Sequence, residues 1–173
     1  MLLESYRVFL RPILPSDASV LFRLHTDPLV VKLIMDGRAP TRAESDARLD
    51  LYLRDWDRLG YGFWMVYEKQ PGGDLHFAGR CGLRDFDGAD RELGYCFLER
   101  ASGRGLATEA SRIVIEAAFS RLGLTKLIAV VRPANIRSQR VMDKLGFCSR
   151  GMRVHRGASF RFYELHPRLM QEG

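Results

Sequence analysis

The sequence predicts an α+β fold in which a single mixed β-sheet is covered by helices. Three observations carry this. Segments with period-two alternation are interleaved with segments of helical period. Their order is strand, two helices, three strands, helix, strand, helix, two strands. Strand and helix alternate most tightly between Arg91 and Gly146, where an amphipathic helix leads into a short apolar strand.

Taken in order, YRVFLRPI (Tyr6–Ile13) alternates as a strand does. Pro15 and Ser16 open a helix over about Asp17–Thr26, with Ser16 as candidate N-cap and Pro28 as the stop. Thr41 and Glu44 have the spacing of a capping box, so a second helix runs from there to about Leu59, with Leu49, Leu53 and Trp56 inward. The period then changes. Tyr61–Lys69 and Leu75–Leu83 read as strands of a hairpin joined by Pro71-Gly72-Gly73-Asp74. RELGYCFL (Arg91–Leu98) is a third strand. Leu106–Leu122 places Leu106, Ala110, Ile113, Val114, Ala117 and Ala118 on one helical face, closed by Gly123. Lys126–Arg132 is the apolar strand. Pro133 and Asn135 start a short helix that ends at Gly146, with Val141, Met142 and Leu145 inward. Two strands, Phe147–His155 and Ser159–His166, complete the pattern.

The 173 residues suit one domain spanning residues 1–173, and 46% hydrophobic with 28% charged residues is an ordinary globular balance. No apolar run approaches the ~18 residues of a membrane span. MLLESYRVFL carries Glu4 and Arg7 inside its apolar stretch and lacks the blocks of a signal peptide, so a cytoplasmic protein is expected. Cys81, Cys96 and Cys148 are odd in number, form no CxxC pair, and are expected as buried thiols. The histidines show no metal-ligand spacing, so no metal is expected. The net charge of +6 suits an anionic partner, but the basic residues are spread along the chain as on a solvated surface. No motif that interleaves aromatic and basic residues supports specific nucleic-acid binding.

ERASGRGLATEA (Glu99–Ala110) joins the third strand of the middle group to a helix. Such a loop offers unpaired N–H groups to a phosphate, and glycines allow close approach. A tight turn that needs glycine for its own geometry explains the same residues. The lysine of a P-loop is absent, and Thr108 stands where a dinucleotide fingerprint has Gly or Ala.

GYCFLERASGRGLATEA followed by VRPANIRSQRVMDKLGF strongly resembles the GNAT superfamily of acyl-CoA N-acyltransferases, over about Glu92 to Phe147. More narrowly it resembles the branch containing ribosomal-protein-alanine N-acetyltransferases. The pattern Q/R-x-x-G-x-G/A is met literally from Arg100, with Gly103 and Gly105. In the register that keeps ATEA and Asn135 aligned it starts at Ser102, with Gly105 and Ala107.

The resemblance implies a mostly antiparallel mixed sheet of six to seven strands with about four helices, and a splay between two central strands that admits acetyl-CoA. It implies that the pyrophosphate meets the N–H groups of Arg104, Gly105, Leu106, Ala107 and Thr108. The pantetheine would pair with the main chain of Cys96, Phe97 and Leu98 and with the Asn135 side chain. Asn135 is equally placed to cap a helix, a role that leaves an amide atom free. A main-chain N–H of Phe97 or Leu98 would polarise the thioester carbonyl. Many members protonate the leaving thiolate with a Tyr where Met142 stands here. The resembling branch places a serine near the sulfur at the position of Ser138, which makes it the expected donor, with a helix-start hydroxyl bonded to the backbone as its alternative role. Glu92 is the first candidate for general base, with an ion pair as its alternative role. Tyr163, His25 and His155 are weaker candidates.

The expected activity is acetyl-CoA-dependent transfer of an acetyl group to a primary amine, by direct attack in a ternary complex. The acceptor is a protein N-terminus or a small molecule. The alternative is a catalytically inactive acyl-CoA-binding sensor, motivated by Ser102 and Met142. The acceptor pocket is expected from Leu14–Leu59 and Gly151–Pro167. Asp85, Asp87 and Asp90 either make it acidic or serve a turn. No membrane partner is expected, and the protein is read as a monomer or homodimer.

Overall fold

The computed structural model describes residues 1–167. Its elements in chain order are β1 (Leu3–Glu4), β2 (Val8–Pro12), α1 (Ala18–His25), α2 (Pro28–Leu33), α3 (Arg42–Leu59), β3 (Phe63–Lys69), β4 (Leu75–Phe86) and β5 (Asp90–Phe97). There follow α4 (Leu106–Ser120), β6 (Leu127–Val131), α5 (Ile136–Leu145), β7 (Cys148–His155) and β8 (Ala158–Leu165). The eight strands form one sheet in the order β1-β2-β3-β4-β5-β6-β8-β7. All neighbours are antiparallel except β5 and β6, which α4 joins in a parallel crossover.

The mixed, mostly antiparallel sheet agrees with the sequence, and two elements exceed it. One is β1, two residues long and paired with β2. The other is α2, which corrects the reading of Pro28 as a stop. α1 has already ended at His25, and Pro28 opens α2 at a position where a missing N–H costs nothing. Asp27 Oδ1 caps it, accepting from the N–H groups of Leu29 at 3.0 Å and Val30 at 3.4 Å. Ser16 does not cap α1 either. It lies in a 3-10 turn, Pro15–Asp17, that leads into the helix. No side chain caps α1: the carboxylate of the buried Asp17, at its N-cap, turns back to accept from Leu14 N–H at 2.7 Å and to pair with Arg11. The capping box of α3 forms as read: Glu44 N–H donates to Thr41 Oγ1 at 3.2 Å, and Thr41 N–H donates to Glu44 Oε2 at 2.7 Å.

The sheet is covered on both faces. Successive strand residues point to opposite faces. On β4, Cys81 Sγ meets Ser111 Oγ of α4, while the adjacent Arg80 lies over the ring of Tyr52 of α3. Beneath α4 the core is tight because its inner residues are small: Ala110, Val114, Ala117 and Ala118 are buried. Burying Val114 alone contributes about 1.5–3 kcal/mol. Cys81 and Cys96 are buried as expected, but Cys148 is exposed. It starts β7, the last strand of the sheet, whose residues are almost all open to solvent.

One feature of the sheet positions the site. β5 and β6 pair at a single register position, Glu92 opposite Ile128. Beyond it β5 continues to Phe97 and β6 to Val131, with no further pairing between them. The two central strands therefore splay, and the N-terminus of α5 sits at the opening.

Candidate active site

Two clefts meet at this splay. The smaller, about 350 Å³, is bounded by the end of β5, the loop of Ser102–Gly105, the start of α4 and one side of α5. The larger, about 790 Å³, lies between α3, the opposite face of the sheet and the β6–β8 wall. Tyr95, Asn135 and Ser138 line both.

In the smaller cleft the loop backbone is the main feature. Gly103 and Gly105 have φ of +78° and +81°, which L side chains rarely adopt. Gly105 is also the N-cap of α4 and offers no side chain to the first turn. The N–H groups of Leu106, Ala107 and Thr108 are thus left to an outside acceptor, at the positive end of the helix dipole. Arg137, Arg140 and Lys144 line the cleft from α5 and add positive charge. These features fit a phosphorylated ligand.

The Arg104 side chain turns away from the loop and pairs with Glu68 at 2.5 Å. Arg104 therefore has its backbone, rather than its guanidinium, to offer. The loop is held from behind. Glu109 accepts from Ser5 Oγ at 2.6 Å, Arg7 N–H at 2.9 Å and Arg7 Nε at 2.6 Å, while Arg7 Nη1 donates to the Arg104 carbonyl at 2.8 Å. Burial acts to raise the Glu109 pKa, but the donors from Ser5 and Arg7 outweigh it and hold the carboxyl below its ordinary value.

The β5 backbone divides by parity. Leu98 N–H donates to Ala78 carbonyl of the β4 side at 2.9 Å. Alternate residues of an antiparallel strand face the same neighbour, so Cys96 also faces β4 and Phe97 faces the splay. Of the three main chains expected to meet a pantetheine, that of Phe97 is the one presented to the opening.

Asn135 caps α5, its Oδ1 accepting from Ser138 N–H at 3.1 Å. Its amide nitrogen has no protein acceptor among the described residues. Tyr95 Oη donates to Ser138 Oγ at 3.0 Å. Burial pushes the Tyr95 pKa up to about 12, the Ser138 bond working the other way, so the phenol stays protonated at neutral pH. Met142 is buried at the same junction and lines the larger cleft. Ser102 lines the smaller cleft, and its Oγ donates to the Leu98 carbonyl at 3.0 Å.

Glu92 is buried, lines the larger cleft and accepts from Arg84 Nε at 2.6 Å through Oε2. Its Oε1 has no protein donor among the described residues. His155 lines the same cleft, whereas Tyr163 is buried in the sheet away from both clefts. His25 is fully buried, and its Nδ1 contacts Ser45 Oγ at 2.8 Å. Asp85, Asp87 and Asp90 line neither cleft. Asp85 pairs with Arg91, Asp90 pairs with Lys126, and Asp87 takes a left-handed turn conformation with φ of 51°.

Two residues escaped the sequence reading. Tyr95 carries a signal in hindsight: Leu93, Tyr95 and Phe97 share one strand face. Arg80 is a lone charge in the apolar run FAGRCGL, and only its surroundings give it meaning. No group of three or more His, Cys, Asp or Glu suited to a metal ion occurs among the described residues. No helix among them is long and apolar enough to cross a membrane.

A splayed parallel strand pair over a glycine loop at a helix start is the arrangement of an acetyltransferase fold. Residues 7–148 match the acetyltransferase (GNAT) domain family, and the chain belongs to that family. It is 34% identical over 104 residues to the uncharacterized protein YkkB of Bacillus subtilis, a segment covering 54% of this chain and 59% of YkkB. The match thus spans less than two thirds of that relative. Among solved structures, an acetyltransferase from Agrobacterium tumefaciens superposes with a TM-score of 0.81 at 23% identity, covering 96% of this chain and 94% of that one. The structure of AAC(6')-Ib with ribostamycin and coenzyme A superposes with a TM-score of 0.78 at 18% identity, covering 97% and 100%. These likenesses show a shared fold.

Proposed function

We propose that the protein is an acetyl-CoA-dependent N-acetyltransferase, residues 1–173 forming one catalytic domain that acts in the cytoplasm. The observation that carries this reading is the meeting of the two clefts at Tyr95, Asn135 and Ser138. A cosubstrate bound from one side and an amine from the other would come together there. The free thiols of Cys81, Cys96 and Cys148 suit a reducing compartment.

The first-turn N–H groups of α4 take the pyrophosphate, and Arg137, Arg140 and Lys144 supply countercharge. Phe97 pairs with the pantetheine and polarises the thioester carbonyl through its N–H. The Asn135 amide nitrogen holds the pantetheine from the other side. Glu92 accepts the amine proton through a water. The amine nitrogen bonds to the acetyl carbon as the carbon–sulfur bond breaks. Ser138 Oγ gives its proton to the departing sulfur and draws on the Tyr95 phenol.

Isothermal titration with acetyl-CoA tests the reading, with dephospho-CoA and NAD as controls. One-to-one binding of acetyl-CoA with no binding of NAD is expected. Absence of acetyl-CoA binding at physiological salt overturns it.

A further inference from the structure

The larger cleft has a charge pattern that bears on its acceptor. It is lined by three acids, and each is matched by an arginine of the same cleft: Glu44 by Arg38, Glu92 by Arg84 and Asp36 by Arg132. Three further lining arginines, Arg48, Arg80 and Arg156, have no carboxylate partner among the described residues. Arg48 and Arg156 are exposed and need none. Arg80 is different, being only 6% exposed.

Arg80 lies with its guanidinium 4.2 Å from the centroid of the Phe63 ring and 5.2 Å from that of Tyr52. Its Nε is buried with no hydrogen-bond partner. Aromatic faces attract a cation, but they do not replace the acceptors that its N–H groups lose on leaving water. A buried arginine is ordinarily paired. No ion pair with Arg80 forms among the described residues, and the neighbouring His25 is held neutral mainly by burial, with repulsion from Arg80 and Arg48 adding to it.

We infer that the acceptor carries an acidic group, a carboxylate or phosphate, beside its amine, and that Arg80 receives this group with Arg48 alongside. The planar guanidinium fits either anion through two parallel hydrogen bonds. Arg80 sits opposite Cys96 in the β4–β5 ladder, one residue along β5 from Tyr95. A small amino acid or an aminoalkyl phosphate carries both groups. Polyamines and other polycations meet the wrong sign of charge. This inference rests on the transfer reading above.

The test measures thiol release from acetyl-CoA with matched acceptors. Alanine is set against alaninamide, 2-aminoethyl phosphate against ethanolamine, and spermidine serves as the polycation. The acid-bearing member of a pair is expected to show a higher kcat/KM, by roughly tenfold or more. The first pair reports on a carboxylate and the second on a phosphate. In Arg80→Met, which keeps an apolar stem against Phe63, that ratio falls toward one. Arg48→Ala, at an exposed position, lowers it less, and serves if the Arg80 variant does not fold. Coenzyme A affinity is the folding control for both. Preference for the uncharged partners or spermidine overturns the inference, as does a ratio unchanged in Arg80→Met. Acetyl-CoA binding with no turnover of any acid-bearing acceptor also overturns it and leaves the transfer reading standing. Failure to bind acetyl-CoA strikes the transfer reading itself.

Discussion

The Tyr95 phenol donates to Ser138 Oγ at 3.0 Å where the two clefts join, linking the splayed strand β5 to the first turn of α5. Because Tyr95 occupies the serine oxygen as donor, the serine proton is left to point elsewhere. Ser138→Ala is expected to lower kcat by about 100-fold, the usual size of a lost proton donor, with acetyl-CoA affinity nearly unchanged. Tyr95→Phe is expected to cost less, about tenfold, since it removes one supporting hydrogen bond. Steady-state rates and titration calorimetry on the same preparations check both. An unaltered rate in Ser138→Ala removes that residue from the chemistry.

Glu92 has two roles open to it, and one variant separates them. Glu92→Gln is expected to lower kcat by roughly 100-fold and leave the acetyl-CoA dissociation constant in place. If the rate holds and only the melting temperature falls, the carboxylate serves as the partner of Arg84.

The two loop glycines respond differently to alanine. At Gly103 an added Cβ meets nothing within 4 Å, so the cost is the left-handed backbone alone, about 1–2 kcal/mol. At Gly105 the same strain applies and the Cβ also reaches Arg7 Nη2 at 3.4 Å, against the clamp behind the loop. Gly105→Ala is therefore expected to weaken acetyl-CoA binding more than Gly103→Ala does. Calorimetry and thermal melts of the two variants decide the order.

His25 makes the fold acid-sensitive. Burial first, then repulsion from Arg80 and Arg48, lowers its pKa from the ordinary 6.5 to about 3. The unfolded chain takes up the proton before the folded one does. The stability is thus full above the unfolded value and is lost as pH falls toward the folded one. The slope reaches at most about 1.4 kcal/mol per pH unit. His25→Asn is expected to flatten this loss, as urea midpoints at about pH 7 and about pH 5 would record.

Much of the fold was legible because it rests on local rules. The capping box of Thr41 and Glu44, the glycine that ends α5, and the period change at Tyr61 each act within a few residues. Pro28 misled because proline is equally at home just after a helix and at the first position of the next one. Asn135 and Ser138 were legible as a motif on one turn. Tyr95 was not, because its partner lies 43 residues away along the chain. Arg80 was not, because an unpaired charge is defined by what surrounds it, and no local pattern records that.

The clamp of Ser5 and Arg7 on Glu109 bears on how a growing chain acquires its parts. The holding residues leave the ribosome long before the loop they hold. Once α4 and α5 have emerged, every element bounding the smaller cleft is present. The larger cleft still lacks His155 and Phe160 of the final hairpin. The smaller cleft is thus encoded to be complete before the larger one.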